Sequence, residues 1–329
     1  MFKPAIRWGT KKGDFCHMNE LFGPVLSVIC AEDIEDAIDI VNSTGYGLTS
    51  GIESLDERQK KIFVERLKAG NLYINRATTG AIVTRQPFGG MGKSAIGSGK
   101  KAGGFNYVTQ FLNISLDKKI SPQSANHKCI DKLQEILRNE LQYKDVLKES
   151  IKTLKNFAYW LNKEFLQEHD YTNIRGESNI IRYLNVENIT LAIDENDSIH
   201  EVICSIVAAK MSGCKVHISI PSKYNSLEFL WLLGKIPLLL DQEDKVMSET
   251  EEKMIKSIKL SNRTRCLKND RITHSVYSAI SADAVHIASE SFVAHGRIEL
   301  MHYFIEQSIS DNYHRYGNLG LKGLLSKES

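Results

Sequence analysis

The chain has 329 residues, 42% of them hydrophobic, enough to bury a sizeable core in two domains or one large one. Its 42 basic and 40 acidic side chains nearly cancel, which argues against a nucleic-acid face or an anionic-membrane patch. No apolar run is long enough to span a bilayer, and the N-terminus does not read as a signal peptide. Six scattered cysteines without a Cys-x-x-Cys pair exclude a disulfide scaffold and structural zinc, so a reducing cytoplasm is the expected location.

In chain order, Pro4, Trp8 and a turn at Gly13 lead to Cys16 and His17. One neighbouring imidazole is a weak device for activating a thiol, so Cys16 is not taken as a nucleophile. Val25–Cys30 is continuously apolar and reads as a short buried strand. Ile34, Ala37, Ile38 and Val41 fall on one helical face. A turn over Gly45–Gly51 enters a second strand. Ser54 and Glu57 form a capping box for the next helix. Ile62, Phe63 and Leu67 are its buried stripe, and Gly70 is its expected left-handed end. Asn71–Asn75 reads as a strand, and strand, helix and strand in this order predict a parallel α/β sheet.

The run Thr78 to Gly90 follows that strand. Small and hydroxyl-bearing residues at 78–81 offer N–H and O–H donors suited to a carboxylate, and Phe88 supplies an apolar wall. On chemistry alone this is an anion-binding loop beside an aromatic face; a surface turn is the plainer alternative. Two glycine patterns just beyond it are decoys. Gly92-Lys93-Ser94 mimics the end of a phosphate-binding loop, but Pro87 stands where the first glycine belongs and has no N–H to give. Gly97-Ser98-Gly99 follows no predicted strand and leads to Gly103-Gly104 instead of a helix.

Residues 105–112 read as a strand, and 117–128 as a polar linker. Ile130, Leu133 and Leu137, then Leu147, Ile151, Leu154, Phe157 and Leu161, recur at three- and four-residue steps, the mark of amphipathic helices. From 179 an α/β alternation returns. Strands are expected at 189–193 and 215–220, with a helix at 199–211 stopped by Gly213. The pattern continues through 227–233, 238–240 and 249–260. No glycine fingerprint accompanies it, so no dinucleotide is expected there. Cys204, Cys214 and Cys266 read as small core residues. His295, His302 and His314 have the spacing of neither a helical zinc pair nor a zinc finger, and no metal is expected.

Several of these stretches carry a resemblance. Asn19-Glu20-Leu21-Phe22-Gly23-Pro24-Val25, Asn42, Tyr46-Gly47-Leu48, Gly70-Asn71-Leu72-Tyr73-Ile74-Asn75 and Pro87-Phe88-Gly89-Gly90, in this order, resemble the C-terminal part of the aldehyde dehydrogenase superfamily over residues 4–116. Asn75 to Gly90 resembles the branch of L-glutamate γ-semialdehyde (1-pyrroline-5-carboxylate) dehydrogenases, including the dehydrogenase half of proline-utilisation proteins of the PutA kind. Gly296-Arg297-Ile298-Glu299-Leu300, Glu306–Ser310 and Tyr313–Leu319 resemble the C-terminal motif of the long proteins of that kind, where it helps close the dehydrogenase chamber.

The resemblance implies an α/β chain: a partial aldehyde dehydrogenase catalytic domain (1–116), a linker with amphipathic helices (117–178) and a degenerate Rossmann-like domain (179–329). It implies oxidation of L-glutamate γ-semialdehyde to L-glutamate with NAD, in proline catabolism. Gly80 and Ala81, helped by Thr79, would hold the substrate's α-carboxylate through backbone N–H groups, and Phe88 would line its chain. Glu20 would accept from the nicotinamide ribose, with Phe22 beside the nicotinamide. Residues 105–112 would add to a neighbouring subunit's sheet in a homo-oligomer. No catalytic residue is assigned here: the nucleophilic cysteine, the general base and the cofactor's phosphate-binding glycines have no counterparts. The chain is therefore expected to work with a separate N-terminal part. The alternative is a non-catalytic assembly module or the remnant of a split gene.

Overall fold

A computed structural model describes residues 3–114, 123–267, 271–283 and 285–314. Near the start, β1 (Ala5–Arg7) and β2 (Val25–Ser27) pair in parallel around the single turn α1 (Phe15–Met18). β2 is shorter than expected and not buried: Val25 and Leu26 stand exposed, as do Trp8 and Phe22. α2 (Ile34–Ser43) starts on Asp33, whose carboxylate accepts from the Asp36 N–H, and it buries Ile38 and Ile40. β3 (Tyr46–Gly47) and β4 (Thr49–Ile52) follow.

The next helix, α3 (Glu57–Arg66), corrects two expectations. Its cap is Asp56, which accepts from the Arg58 N–H; Ser54 lies two residues too early and instead accepts from the Asp56 N–H and donates to Gln59. The helix ends at Leu67 in extended backbone, and Gly70 is not left-handed. Gly70 is required for another reason: a Cβ there would lie 1.9 Å from the Gly89 carbonyl oxygen, so two backbones touch at this point. β5 (Asn71–Ile74) is buried along its whole length and pairs in parallel with β4, as the strand–helix–strand order requires. β6 (Met91–Gly92) pairs with β3.

The stretch expected as a strand at 105–112 is a 3-10 helix over Tyr107–Phe111. Asn106 makes the turn. Its carbonyl accepts from the N–H and the hydroxyl of Thr109, while its side-chain amide donates to Tyr183 and Glu306.

The amphipathic helices form as their periodicity dictates: α4 (Lys128–Ile136) and α5 (Lys144–Trp160), the latter running into a π-turn over Leu161–Phe165. β7 (Glu177–Asn185) then leads to a second sheet. β8 (Asn188–Ala192), α6 (Ile199–Met211), β9 (Lys215–Pro221), α7 (Leu227–Leu239), β10 (Lys245–Glu249), α8 (Glu251–Lys259), β11 (Arg263–Cys266), α9 (His274–Ile280) and β12 (His286–Ala288) alternate strand and helix. Leu238 and Leu239 are the end of α7, not a separate element. The strands are all parallel, in the order β10-β9-β8-β11-β12, which is the nucleotide-fold order with the first strand in the middle. α4, α5, α6 and α7 pack their apolar faces into its main core.

After α10 (Gly296–Glu299), β13 (Phe304–Asn312) leaves this unit and enters the first sheet. It lies between β5, to which it is parallel, and β7, to which it is antiparallel, giving the order β4-β5-β13-β7. One strand from the chain's last part thus pairs with the strand that carries the 78–90 loop.

Candidate functional site

The loop leaves β5 at Asn75, which is left-handed (φ 55°) and accepts the Ser54 N–H on its side chain at 2.9 Å. Gly80 has φ 98°, with open space where a Cβ would stand. Thr79, Gly80 and Ala81 are exposed. Among the described residues no backbone acceptor pairs with the N–H groups of these three positions. Ile82 and Gln86 then close a tight turn on each other, N–H to O at 3.2 and 2.7 Å, with Thr84 left-handed between them. Phe88 is half-buried and exchanges two backbone hydrogen bonds with Ala102, each 2.9 Å.

Below the loop is a buried polar base. Asn71 donates from Nδ2 to the Pro87 carbonyl at 2.9 Å and accepts on Oδ1 from the Gly89 N–H and from Lys101 Nζ, both at 3.2 Å. Burial of Lys101 pushes its amine down to about 7, against a smaller opposing pull from the Glu306 carboxylate. The Lys101 N–H itself donates to Glu306 at 2.9 Å. Sequence reading missed Lys101 altogether. Asn71 and Glu306 stood inside quoted motifs, but nothing local marked them as supports of this loop.

The proposed cofactor residues lie elsewhere. Glu20 is exposed and lines a cleft of about 590 Å³ with Ser27, Tyr46, Gly47 and Ser94. Phe22 is fully exposed and is not part of that wall. No residue of 78–90 lines that cleft. His17 is engaged structurally: Nδ1 accepts from the Gly13 N–H, leaving Nε2 to donate to the Ile40 carbonyl, each at 2.9 Å. It has no ring nitrogen left to serve Cys16 as a base.

The decoy motif is also engaged. Lys93 donates to the Thr44 carbonyl at 2.9 Å beside the Tyr46 ring, and Ser94 accepts from the Gly47 N–H at 3.1 Å. In the second sheet, the crevice beyond the strand ends would be the place for a dinucleotide. There Arg271 donates to the Ile193 and Ser219 carbonyls at 2.8 and 2.5 Å. The loop after β8 reads Asp194-Glu195-Asn196-Asp197 where a glycine turn would be needed, and these residues do not fit a pyrophosphate. Among the described residues no three His, Cys, Asp or Glu side chains gather to hold a metal, and no helix is long and apolar enough to cross a membrane. Of the tail motif, residues 315–319 lie outside the described residues.

The sequence pattern of the aldehyde dehydrogenase family matches residues 1–115. The bifunctional protein PutA of Rhizobium meliloti is 53% identical over 110 residues, which are 32% of this chain and 8% of that protein. A 1-pyrroline-5-carboxylate dehydrogenase of Staphylococcus haemolyticus is 38% identical over 110 residues, 33% of this chain and 21% of that enzyme. The solved structure of proline utilization A (PutA) from Corynebacterium freiburgense matches 95% of this chain and 28% of its own, at 31% identity and a TM-score of 0.71. The chain therefore spans less than a third of the length of each of these relatives. Residues 1–115 match the aldehyde dehydrogenase family, and the chain over nearly its whole length is similar to one part of PutA.

Proposed function

We propose that this chain forms the amino-acid end of the substrate site of an NAD-dependent L-glutamate γ-semialdehyde dehydrogenase, acting in proline catabolism. The observation that carries the reading is the loop at 79–81: exposed backbone N–H groups without an acceptor among the described residues, a left-handed Gly80 with open space beside it, and a buried, hydrogen-bonded base beneath. Such donors suit a carboxylate, and each charge-assisted bond is worth roughly 1.5–3 kcal/mol. The names of the relatives supply the substrate class.

In this reading Gly80 and Ala81 hold the α-carboxylate, Thr79 assists, and Phe88 lines the aldehyde-bearing chain. Glu20, an acceptor-only group on an open cleft, suits the paired hydroxyls of the cofactor's ribose, and Phe22 offers an exposed ring beside it. NAD, when bound, supplies the hydride acceptor. The nucleophilic thiol and the phosphate-binding glycines belong to a part of the enzyme outside these residues. Residues 1–116, 117–178 and 179–329 are proposed as the catalytic portion, a helical connection and a non-binding Rossmann-like unit. Residues 105–112 are the proposed contact with a second copy, and the cytoplasm the proposed location.

Titration of the full chain with the product L-glutamate tests the reading. Amide resonances of residues 79–81 are expected to shift with L-glutamate and not with γ-aminobutyrate, which lacks the α-carboxylate. Absence of any shift at these amides, or equal shifts with both ligands, overturns it. With the cofactor-binding part supplied in trans, NADH formation from the semialdehyde is expected and is to be lost in a Gly80→Val variant.

A further inference from the structure

Both feet of the loop are tied to one hydroxyl that comes from the other end of the chain. Arg76, entering the loop, donates from a guanidinium nitrogen to Ser310 Oγ at 2.7 Å. Gln86, leaving it, donates from Nε2 to the same oxygen at 3.3 Å, across 224 positions of sequence. Ser310 in turn donates to Asn179 Oδ1 at 2.8 Å. A serine hydroxyl has one proton and two lone pairs, so all three are used. Ser310 and Gln86 are almost wholly buried, so water cannot replace a lost partner.

The tie continues on the far side. Asn179 donates to Glu177 at 3.1 Å, and Glu177 takes both ends of the Arg85 guanidinium. Arg76, Arg85 and Gln86 are thus held by one connected set of bonds on the β7–β13 pair. Arg–carboxylate pairing of this two-pronged kind fixes orientation as well as position. The register that places Ser310 between Tyr73 and Asn179 is that of the sheet itself.

We propose that Ser310 is a positioning residue for the amino-acid loop: its hydroxyl sets the spacing between the two feet of the loop and so the direction of the N–H groups at 79–81. The claim about binding rests on the function proposed above; the claim about loop geometry does not.

The test uses the full chain in four forms: wild type, Ser310→Ala, Ser310→Thr and Ser308→Ala. Ser308 is equally buried on the same strand and makes no side-chain bond to the loop, so its variant reports what loss of a buried hydroxyl does to the strand alone. Hydrogen exchange is read at the Ile82 and Gln86 amides, which close the turn. Loss of the two bonds from the loop, together with the one to Asn179, in Ser310→Ala is expected to speed it roughly tenfold, with β5 amides unchanged. Ser310→Thr, which keeps the hydroxyl, is expected to restore protection, and Ser308→Ala to leave it intact. Unchanged exchange in Ser310→Ala, or equal loss in Ser308→Ala, overturns the proposal. Should Ser310→Ala not fold, Gln86→Leu removes one bond from the loop side and is read in the same way.

L-Glutamate affinity is measured on the same samples. Weakening of several-fold in Ser310→Ala with Ser308→Ala unchanged supports the proposal, and equal affinity in all four forms overturns its binding half. Wild-type chain that binds no L-glutamate sinks the assigned function, while the exchange data still decide the role of Ser310.

Discussion

Lys101 Nζ donates to the Gly89 carbonyl at 2.5 Å, joining the glycine-rich exit of the 78–90 loop to the segment that follows it. The same nitrogen reaches Asn71 Oδ1, so it has two acceptors, which a neutral amine with two N–H groups satisfies. With its amine pushed down to about 7 by burial, Lys101 binds fewer protons in the folded chain than in the unfolded one between about pH 7 and the ordinary lysine value. Stability therefore gains from this group as pH rises through that window, and the penalty is fully present below it. The difference in urea midpoint between wild type and Lys101→Met is expected to move in favour of wild type from pH 7 to pH 10. A difference that stays flat over this range is evidence against a depressed value.

Two glycines near the loop are needed for opposite reasons, and alanine separates them. At Gly70 the added carbon meets the Gly89 backbone, which has nowhere to go. Gly70→Ala is expected to cost about 1–3 kcal/mol or more of stability in chemical denaturation. At Gly80 there is open space but φ is 98°, so the cost comes from the left-handed conformation and is on the order of 1 kcal/mol. Gly80→Ala should change the amide shifts of residues 79–81 while leaving those of Asn71 and Lys101 in place.

In the second unit, Arg265 and Glu299 form an ion pair with neither side chain exposed, Nε to Oε1 at 3.1 Å. Arg265 also donates to the Ala288 and Glu290 carbonyls, and Glu299 accepts from the Val293 N–H, so both charges are largely satisfied. Arg265→Leu strands a buried carboxylate, and a loss of about 3–5 kcal/mol is expected in denaturant unfolding. The double variant Arg265→Leu with Glu299→Leu should recover part of that loss, since no lone charge is left inside.

Cys16→Ser is expected to leave both stability and L-glutamate binding of the chain unchanged. With the cofactor-binding part supplied, it should also leave semialdehyde-dependent NADH formation unchanged. The reason is that His17 is committed to Gly13 and Ile40. Loss of turnover in this variant would show that the nucleophile had been misassigned.

Features set by near neighbours were legible in the sequence. The helix at Ile199–Met211 and the left-handed Gly213 that stops it depend on contacts within one turn. The motif order around Gly70–Asn75 and Pro87–Gly90 gave the family and the strand that carries the loop. Capping at α3 was misread by two residues because Ser54 and Asp56 both carry suitable oxygens, and only the chain's path beside Gln59 and Asn75 chooses between them.

The tertiary structure alone decided what lies beside what. That β13 enters between β5 and β7, that Ser310 meets Gln86, and that Gly70 abuts Gly89 are matters of sheet order and register. Residues far apart in sequence meet only after long loops have closed, and periodicity or composition carries no record of which edges then pair. The amino acids fixed which groups the loop presents; the fold determined which distant side chains hold that loop in place.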